Sequence, residues 1–452
     1  MGEPRTARSL AIEVLARVRA TDAYLNIVLD AALAERPLSD PRDAGLCTEL
    51  CYGSTRRQLA LDYALEQFAD RKLDRIEDRV LAALRLGAYQ LFFMRIPKHA
   101  AVRETVEALK ALKLERAAGF VNALLRKLSA LEAAPLPADD DPYRLLSVRE
   151  SHPQWLVRRW VREYGRAGAE AILAADNVAP PLCVRVNSSK LTRDELLAQL
   201  AEAGIEARAT ALSPVGVVLP SAGRVGDLYG YSEGLWQVQD EAAQLVSVFA
   251  ALPDGARVLD ACAAPGGKAC HLAERHEVVA LDVHPPKLAK IEGEAARLGL
   301  SSRIQAIAHD ASTKLPAGLG GFQAVLLDAP CSGLGTLRRH PELRYRRVEE
   351  DITRVAALQA RLLDQCAKAV PPGGLLVYSV CSPEPEEGRS QIARFLSLRT
   401  EFVSEPPDLG FELPTQGGFL LTLPGPGGLD GFFAARLRRR GGPGGASGVQ
   451  VV

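Results

Sequence analysis

The 452-residue sequence lacks an excess of charge of either sign and lacks long apolar runs. Its 55 lysines and arginines balance 55 aspartates and glutamates, so a nucleic-acid partner would have to be held by local patches. No stretch of about 20 uninterrupted apolar residues occurs, so we expect no membrane span and no membrane partner. The N-terminus has no apolar core of a secretory signal. These absences predict a cytoplasmic protein.

Cysteine is also scarce, with eight residues and no dense regular spacing. This count argues against a disulfide framework and favours a reducing compartment. Cys47 and Cys51 lie one helical turn apart, but no second pair completes a tetrahedral zinc set. We therefore interpret them as small buried thiols and expect no metal. The 47% of hydrophobic residues provides enough apolar material for real cores, and the length predicts about three domains.

The first two domains differ in their hydrophobic periodicity. Residues 1–135 carry apolar positions at helical spacing almost throughout, with helices expected at 25–33 and 46–68 among others, which predicts a compact all-α bundle. Residues 143–235 alternate strand and helix patterns, which favours a small α/β module of the ferredoxin-like or RNA-recognition (RRM-like) sort. This module lacks the aromatic signature of base-stacking RNA-recognition domains, so base stacking is not predicted there.

Residues 236–440 alternate strands and helices at a spacing that implies a parallel sheet with helices on both faces. The five expected strands are 256–261, 277–282, 304–308, 322–328 and 374–380. Two closely joined strands at the end, 418–423 and 431–437, must pair antiparallel. Such a Rossmann-like sheet with a terminal antiparallel hairpin is typical of class I methyltransferases. The glycine-rich residues 441–452 are predicted to be a disordered tail.

The segment Val258–Lys268, Val-Leu-Asp-Ala-Cys-Ala-Ala-Pro-Gly-Gly-Lys, indicates a strand, a small-residue turn and the start of a helix. Glycines let the backbone approach a ligand closely, so the turn predicts a nucleotide-like cofactor. Ligands of doubly wound sheets lie beyond the carboxyl ends of the strands. There Asp282 can accept hydrogen bonds from ribose hydroxyls, and Asp310 can meet an adenine amino group. Dehydrogenases share a glycine turn followed by an acid, so this pattern alone is not specific.

Two cysteines indicate which class of reaction the site could catalyse. Cys331 and Cys381 follow the fourth and fifth strands, and they emerge side by side if these strands are neighbours. A thiolate that adds at C6 of a pyrimidine makes C5 able to attack an electrophilic methyl group. The base must first leave its stack, and the carboxyl group of Asp328 can hold its ring at N3. The second thiol can assist loss of the C5 proton and release of the enzyme, but spacing does not decide which cysteine attacks.

Three segments carry most of the chemistry: Asp260–Lys268, Asp328–Gly335 with Arg338–Pro341, and Tyr378–Pro383. Together they closely resemble the corresponding segments of the RNA cytosine-C5 methyltransferases of the RsmB/Sun (Fmu) type. The N-terminal bundle resembles the NusB-like, RNA-binding domain of that family, so the resemblance spans nearly the whole chain. It implies S-adenosylmethionine-dependent methylation of C5 of cytosine 967 in 16S rRNA. We expect the enzyme to be a monomer.

The resemblance also implies residue roles. Cys381 would be the nucleophile, Cys331 would aid product release, and Asp328 would orient the base. The cofactor would be bound by Cys262, Ala263, Ala264, Pro265, Gly266, Gly267, Lys268, Asp282, Asp310 and Asp328. Val380 precedes Cys381 where this family usually has threonine or serine. DNA cytosine methyltransferases use the position of Cys331 for attack, which keeps the reversed roles as the alternative.

The basic loop after the fourth strand is the best candidate for contacts with RNA phosphates. The predicted contacts are Arg338, Arg339, His340 and Arg344, and a merely solvated basic loop is the alternative.

There are also alternative functions. The substrate could instead be another RNA, either tRNA or a different rRNA site. A nicotinamide-dependent reductase would be expected to show Gly-x-Gly-x-x-Gly, which the turn lacks. A non-catalytic RNA-binding protein has no need of paired thiols beside three strand-end acids.

Overall fold

A computed structural model describes residues 6–21, 23–138, 140–220, 224–316, 318–425 and 427–441. The predicted tail therefore lies, apart from residue 441, outside the described residues. The chain divides into two compact units. One comprises residues 1–179 and 337–348, and the other comprises residues 180–336 and 349–452. Among the described residues, no helix is both long and apolar enough to cross a bilayer.

The first unit is helical, as its periodicity predicts. Its helices before residue 179 are α1 (Ala7–Ala20), α2 (Leu25–Glu35), α3 (Pro41–Arg56), α4 (Gln58–Glu66), α5 (Asp78–Phe93), α6 (Lys98–Ala111), α7 (Glu115–Ser129), α8 (Pro142–Glu150) and α9 (Gln154–Ala175). Helix α1 begins with a capping box, in which Thr6 and Ser9 satisfy each other's backbone amides. Leu10, Leu84 and Leu125 are almost fully buried in the shared core. Helices α8 and α9, which the sequence placed with the small module, belong to this unit.

The single helix predicted over residues 46–68 is interrupted in the structure. Helix α3 ends at Arg56 and α4 begins at Gln58, with Arg57 between them at φ −100° and ψ 13°. Leu50 and Leu61 are both fully buried on either side of the break. Because the apolar periodicity continues across Arg57, the sequence gives no sign of the interruption.

Residues 337–348 fold against the helices of the first unit and include a short helix over Leu343–Arg346. The guanidinium of Arg344 donates to the backbone carbonyl oxygens of Arg56 at 2.9 Å, Ser151 at 3.2 Å and Asp176 at 3.0 Å. These three carbonyls lie at the C-terminal ends of α3, α8 and α9. Carbonyls at helix ends have no partner within the helix, so one buried arginine satisfies three helix termini.

The second unit begins with a small antiparallel sheet. Its elements are β1 (Leu182–Val186), α10 (Arg193–Glu202), β2 (Arg208–Ala209), β3 (Gly216–Leu219) and β4 (Trp236–Val238). The strand order is β2-β3-β1-β4, with all pairs antiparallel. Trp236 is fully buried in its core. Strand β4 therefore belongs to the small sheet, although the sequence placed residue 236 at the start of the next domain.

The larger sheet carries the elements that position the predicted site. Its strands are β5 (Arg257–Asp260), β6 (Glu277–Asp282), β7 (Ile304–Ala308), β8 (Ala324–Asp328), β9 (Leu375–Val380), β10 (Phe402–Ser404), β11 (Thr415–Gln416), β12 (Phe419–Thr422) and β13 (Phe432–Arg439). Its helices are α11 (Glu241–Ala250), α12 (Gly267–Ala273), α13 (Pro285–Leu298), α14 (Glu349–Ala369) and α15 (Arg389–Leu398). The strand order is β11-β12-β13-β9-β8-β5-β6-β7, with β10 paired to β13.

Strands β7, β6, β5, β8 and β9 run parallel, β13 pairs antiparallel with β9, and β12 pairs antiparallel with β13. Successive side chains point to opposite faces. Val258 and Val278 thus pack in the core under α11 to α13, whereas Leu259 and Val279 pack in the core under α14 and α15. This confirms the Rossmann-like sheet with an antiparallel end. Because β8 pairs with β9, the strand neighbourhood on which the two-thiol hypothesis depends is confirmed as well.

Candidate active site

The predicted cofactor turn connects β5 to α12. Gly266 has φ +108°, a backbone conformation that side-chain-bearing residues rarely adopt. A Cβ atom added to it would lie 3.2 Å from Ile291 Cγ1, so the turn packs closely on α13. Burial raises the pKa of the Cys262 thiol within the same turn, which keeps that thiol protonated. The turn is therefore a tightly packed backbone surface at the end of β5.

Carboxylates follow each of the next strands at the same edge of the sheet. Asp282 ends β6 and accepts a hydrogen bond from the amide of His284 at 2.9 Å. Asp310 is exposed after β7, and hydrogen bonds from Ser312 lower its pKa. Asp328 ends β8. The topology brings these acids to one edge, as predicted, while their roles toward a ligand remain predictions.

Lys268 and Asp328 form an ion pair within the site. The Nζ atom of Lys268 lies 2.7 Å from Oδ2 of Asp328, and Ser379 Oγ donates to Oδ1 at 2.6 Å. Nζ also lies 5.0 Å from the ring centroid of Phe432. Burial alone would lower the pKa of Lys268, but the charge and hydrogen bond of Asp328 raise it above its ordinary value. The lysine predicted to bind the cofactor thus contacts the carboxylate predicted to orient the base.

The two predicted catalytic thiols contact each other. Sγ of Cys331 lies 3.0 Å from Sγ of Cys381, and both cysteines are free and partly exposed. The hydrogen bond with Cys381 and then burial raise the pKa of Cys331 well above its ordinary range. The amide of Gly335 donates to the carbonyl oxygen of Cys381 at 3.1 Å, which ties the loop after β8 to the loop after β9. The structure therefore brings the two cysteines together but does not by itself assign their roles.

Asp260 and Glu387 are site residues that the sequence analysis missed. Asp260 is fully buried at the end of β5, and neither of its oxygens accepts a hydrogen bond of normal geometry within the described residues. Burial, and secondarily the charge of Asp328, raises the pKa of Asp260 to about 7. Glu387 is fully buried and accepts hydrogen bonds from Ser332 and Ser382. The available signal was the serine that follows each predicted cysteine.

The predicted RNA contacts divide into buried and partly exposed side chains. Arg338 is 2% exposed and Arg344 is 0% exposed. A guanidinium that contacts a phosphate on the protein surface must reach solvent, so these two residues do not fit the predicted role in this structure. Arg339 and His340 are partly exposed, and the His340 ring packs edge-on against Tyr24 at 5.2 Å. RNA contacts by Arg339 and His340 remain predictions.

The residues at this edge fit S-adenosylmethionine. The ligand offers an ammonium group, ribose hydroxyls and an adenine amino group as donors, and its sulfonium is positively charged. The site offers the carboxylates of Asp282 and Asp310, and at Gly266 it offers a stretch of backbone that no side chain covers. Acceptors and negative charge therefore complement the donors and positive charge of this ligand.

Family models match consecutive parts of the chain. A model described as 16S rRNA methyltransferase RsmB/F matches residues 248–438. A NusB family model matches residues 5–130, and a model of the ferredoxin-like domain of RsmF/B-like methyltransferases matches residues 152–226. The three matches follow the order of the helical bundle, the small sheet and the large sheet.

Individual relatives are similar over nearly the whole chain. The chain is 40% identical over 442 residues to the ribosomal RNA small subunit methyltransferase B of Pseudomonas putida, covering 95% of this chain and 98% of that protein. It is 39% identical over 448 residues to the Pseudomonas syringae pv. tomato protein of the same name, covering 95% of this chain and 96% of that protein.

Solved structures show the same architecture. The crystal structure of PH0851 superposes with a TM-score of 0.83 at 25% identity, covering 97% of this chain and 99% of that chain. The structure of NSun6 from Pyrococcus horikoshii with SFG has a TM-score of 0.57 at 20% identity, covering 64% of this chain and 99% of that chain. At this identity the similarity to NSun6 shows a shared fold only.

Proposed function

Since this chain belongs to the RsmB/F family of 16S rRNA methyltransferases, we propose that it methylates C5 of cytosine 967 in 16S rRNA through a covalent enzyme–base adduct. Its cofactor is S-adenosylmethionine. The observation that carries the proposed chemistry is the pair of thiols 3.0 Å apart at the carboxyl ends of two neighbouring parallel strands. A methyl transfer to a heteroatom with its own lone pair would have no need of two adjacent thiols.

S-adenosylmethionine supplies an electrophilic methyl group. In the proposed mechanism the Cys381 thiolate adds to C6 of the cytosine, forming a carbon–sulfur bond and placing an electron pair on C5. Cys331, whose pKa is raised well above its ordinary range, stays protonated and donates to the Cys381 sulfur before attack. The ion pair with Lys268 keeps the Asp328 carboxylate in place to accept a hydrogen bond from the amino group at C4, next to N3, and so to orient the base.

Release of the product follows once C5 carries the methyl group. The C5 proton moves to the Cys331 sulfur as Cys331 passes its own proton to the departing Cys381 sulfur. The electron pair of the C5–H bond restores the C5–C6 double bond, and the carbon–sulfur bond breaks. Both cysteines are then thiols, and loss of one proton to solvent restores the Cys381 thiolate. The short distance between the two sulfur atoms supports this direct transfer.

The test uses unmethylated 16S rRNA and methyl-labelled S-adenosylmethionine with the wild-type chain, Cys381→Ala and Cys331→Ala. The wild type is expected to yield 5-methylcytosine at position 967, identified by nucleoside analysis and by mapping of the modified fragment. Cys381→Ala should lose transfer because no nucleophile can activate C5. Cys331→Ala should accumulate a covalent RNA–protein adduct, seen as a slowly migrating band on a denaturing gel, because release lacks its proton relay.

Cys47→Ala is the matched control, since Cys47 is a buried thiol of the first unit and should leave transfer unchanged. An adduct that accumulates with Cys381→Ala instead would reverse the two cysteine roles. Label on an atom other than C5 would overturn the proposed chemistry, and 5-methylcytosine at another position would overturn only the target.

A further inference from the structure

A buried carboxylate connects the loops that carry the two cysteines. Glu387 is 0% exposed and lies between β9 and α15. Its Oε1 accepts hydrogen bonds from Ser332 Oγ at 2.5 Å and Ser382 Oγ at 2.7 Å. Its Oε2 accepts from the amide of Ser332 at 2.9 Å and from Gln359 Nε2 at 3.0 Å. One side chain thus fixes the residue after Cys331 and the residue after Cys381.

Other contacts hold this carboxylate from two further elements. The Tyr378 hydroxyl in β9 donates to the backbone carbonyl of Glu387 at 2.6 Å. Gln359 in α14 donates its amide both to Glu387 and to the carbonyl of Pro330, the residue before Cys331. All four donors to the carboxylate are neutral groups. Burying a carboxylate costs free energy unless it is well hydrogen-bonded. The four hydrogen bonds offset this cost, so the surrounding residues are arranged specifically around Glu387.

We infer that Glu387 is a positioning residue for methyl transfer, whose carboxylate sets the separation of the two thiols and keeps Cys331 as the hydrogen-bond donor of the pair. The inference rests on the proposed function, in which both thiols take part. The carboxylate acts through Ser332 and Ser382 and does not itself need to touch the base.

The charges around the pair favour this arrangement. The groups that face Cys331 are the Cys381 thiol, the carboxylates of Glu387 and Asp328, and the Tyr378 hydroxyl. The hydrogen bond with Cys381 and burial raise the pKa of Cys331, and the negative charge of Glu387 adds to this increase. The ammonium of Lys268 interacts favourably with the Cys381 thiolate. A raised pKa keeps Cys331 protonated, which matches its proposed role as the hydrogen-bond donor to the nucleophile.

The test measures thiol reactivity and turnover separately. Wild type, Glu387→Gln and the exposed neighbour variant Glu386→Gln are alkylated with iodoacetamide between pH 6 and 10, and the Cys331 and Cys381 peptides are quantified by mass spectrometry. Glu387→Gln removes a negative charge beside Cys331, so alkylation of Cys331 should begin at a lower pH in this variant than in wild type. Its kcat for methyl transfer should fall about tenfold or more, with KM for S-adenosylmethionine changed less than about twofold. Glu386→Gln should behave as wild type in both assays.

An unchanged Cys331 profile together with an unchanged kcat in Glu387→Gln would overturn the inference. If Glu387→Gln does not fold, Ser382→Ala decides instead, because it removes one tie and keeps the charge. Ser382→Ala should lower kcat while the pH at which Cys331 alkylation begins stays as in wild type, and an unchanged kcat would count against positioning. The alkylation needs no substrate, so it judges Glu387 even if wild type proves not to make 5-methylcytosine.

Discussion

The buried carboxyl group of Asp260 makes stability depend on pH. Its pKa is raised to about 7 by burial and by the nearby charge of Asp328, whereas the unfolded chain has a value near 3.8. A group with a raised folded-state pKa binds more protons in the folded state between these values. Its contribution to stability is therefore complete below about pH 4 and is lost as the pH rises through about 7.

We predict that Asp260→Asn removes this dependence. Without cofactor, the free energy of unfolding of wild type should fall by a few kcal/mol, in order of magnitude, between pH 5 and pH 8.5 relative to the variant. Urea denaturation of both proteins at the two pH values measures the difference. Subtracting the variant cancels the other groups that titrate in this range. Identical pH dependence in the two proteins would mean that Asp260 is ionised in the folded state.

At the scale of elements, the loops after β8 and β9 are held by a close backbone approach. A Cβ atom added to Gly335 would lie 1.9 Å from the carbonyl oxygen of Gly431, and this carbonyl is backbone that cannot turn aside. The Gly335 amide donates to Cys381, and its carbonyl accepts from the amide of Gly431 at 2.7 Å. A side chain at position 335 therefore has to displace the loop that carries Cys331.

Gly335→Ala should lower the free energy of unfolding by at least about 1–3 kcal/mol and reduce methyl transfer, because the loop cannot keep its distance from Cys381. Binding of S-adenosylmethionine should persist, since the turn at Gly266 is a separate segment. Chemical denaturation and calorimetric titration of the cofactor measure the two effects. Gly320→Ala is the matched control, since no atom lies within 4 Å of its added Cβ. Equal stability of both variants would contradict the expected displacement.

The elements that the sequence predicts well are those with a strong period or a distinctive motif. The alternation of strand and helix patterns predicts the parallel strands. It also predicts which side chains stand at their carboxyl ends, since Asp282, Asp328 and Cys381 each come at the end of a recognisable apolar run. The break at Arg57 leaves the helical period intact, so it is invisible in the sequence. The two-residue strand Thr415–Gln416 exists only because β12 lies beside it.

Side-chain direction was harder to predict than position. Lys268 lies in the predicted cofactor turn, yet its ammonium reaches Asp328, 60 residues later. Arg344 belongs to a basic loop, yet its guanidinium is buried at three helix ends. Glu387 gathers donors from Ser332, Gln359 and Ser382, which are scattered over 51 residues. Such contacts depend on tertiary packing, and no local pattern encodes them.

At the scale of the molecule, the small sheet and the cofactor turn share a buried polar network within the second unit. Arg185 of β1 forms an ion pair with Glu274 at 2.7 Å, and the two side chains are 0% and 2% exposed. The same guanidinium donates to Gln239 at 2.7 Å and to the carbonyl oxygen of Gly267 at 3.1 Å. The small module therefore contributes to the support of the cofactor turn, in addition to any contact with RNA.

We predict that Arg185→Met destabilises the second unit by about 3–5 kcal/mol, because Glu274 is left as a buried charge without its partner. The double variant Arg185→Met with Glu274→Leu should regain most of this loss. Both variants should bind S-adenosylmethionine more weakly than wild type, since the Gly267 carbonyl has lost its donor. Urea denaturation and calorimetric titration measure the two effects, with Arg208→Met on the exposed side of β2 as the control. Wild-type affinity in the double variant would show that the network stabilises the unit without positioning the turn.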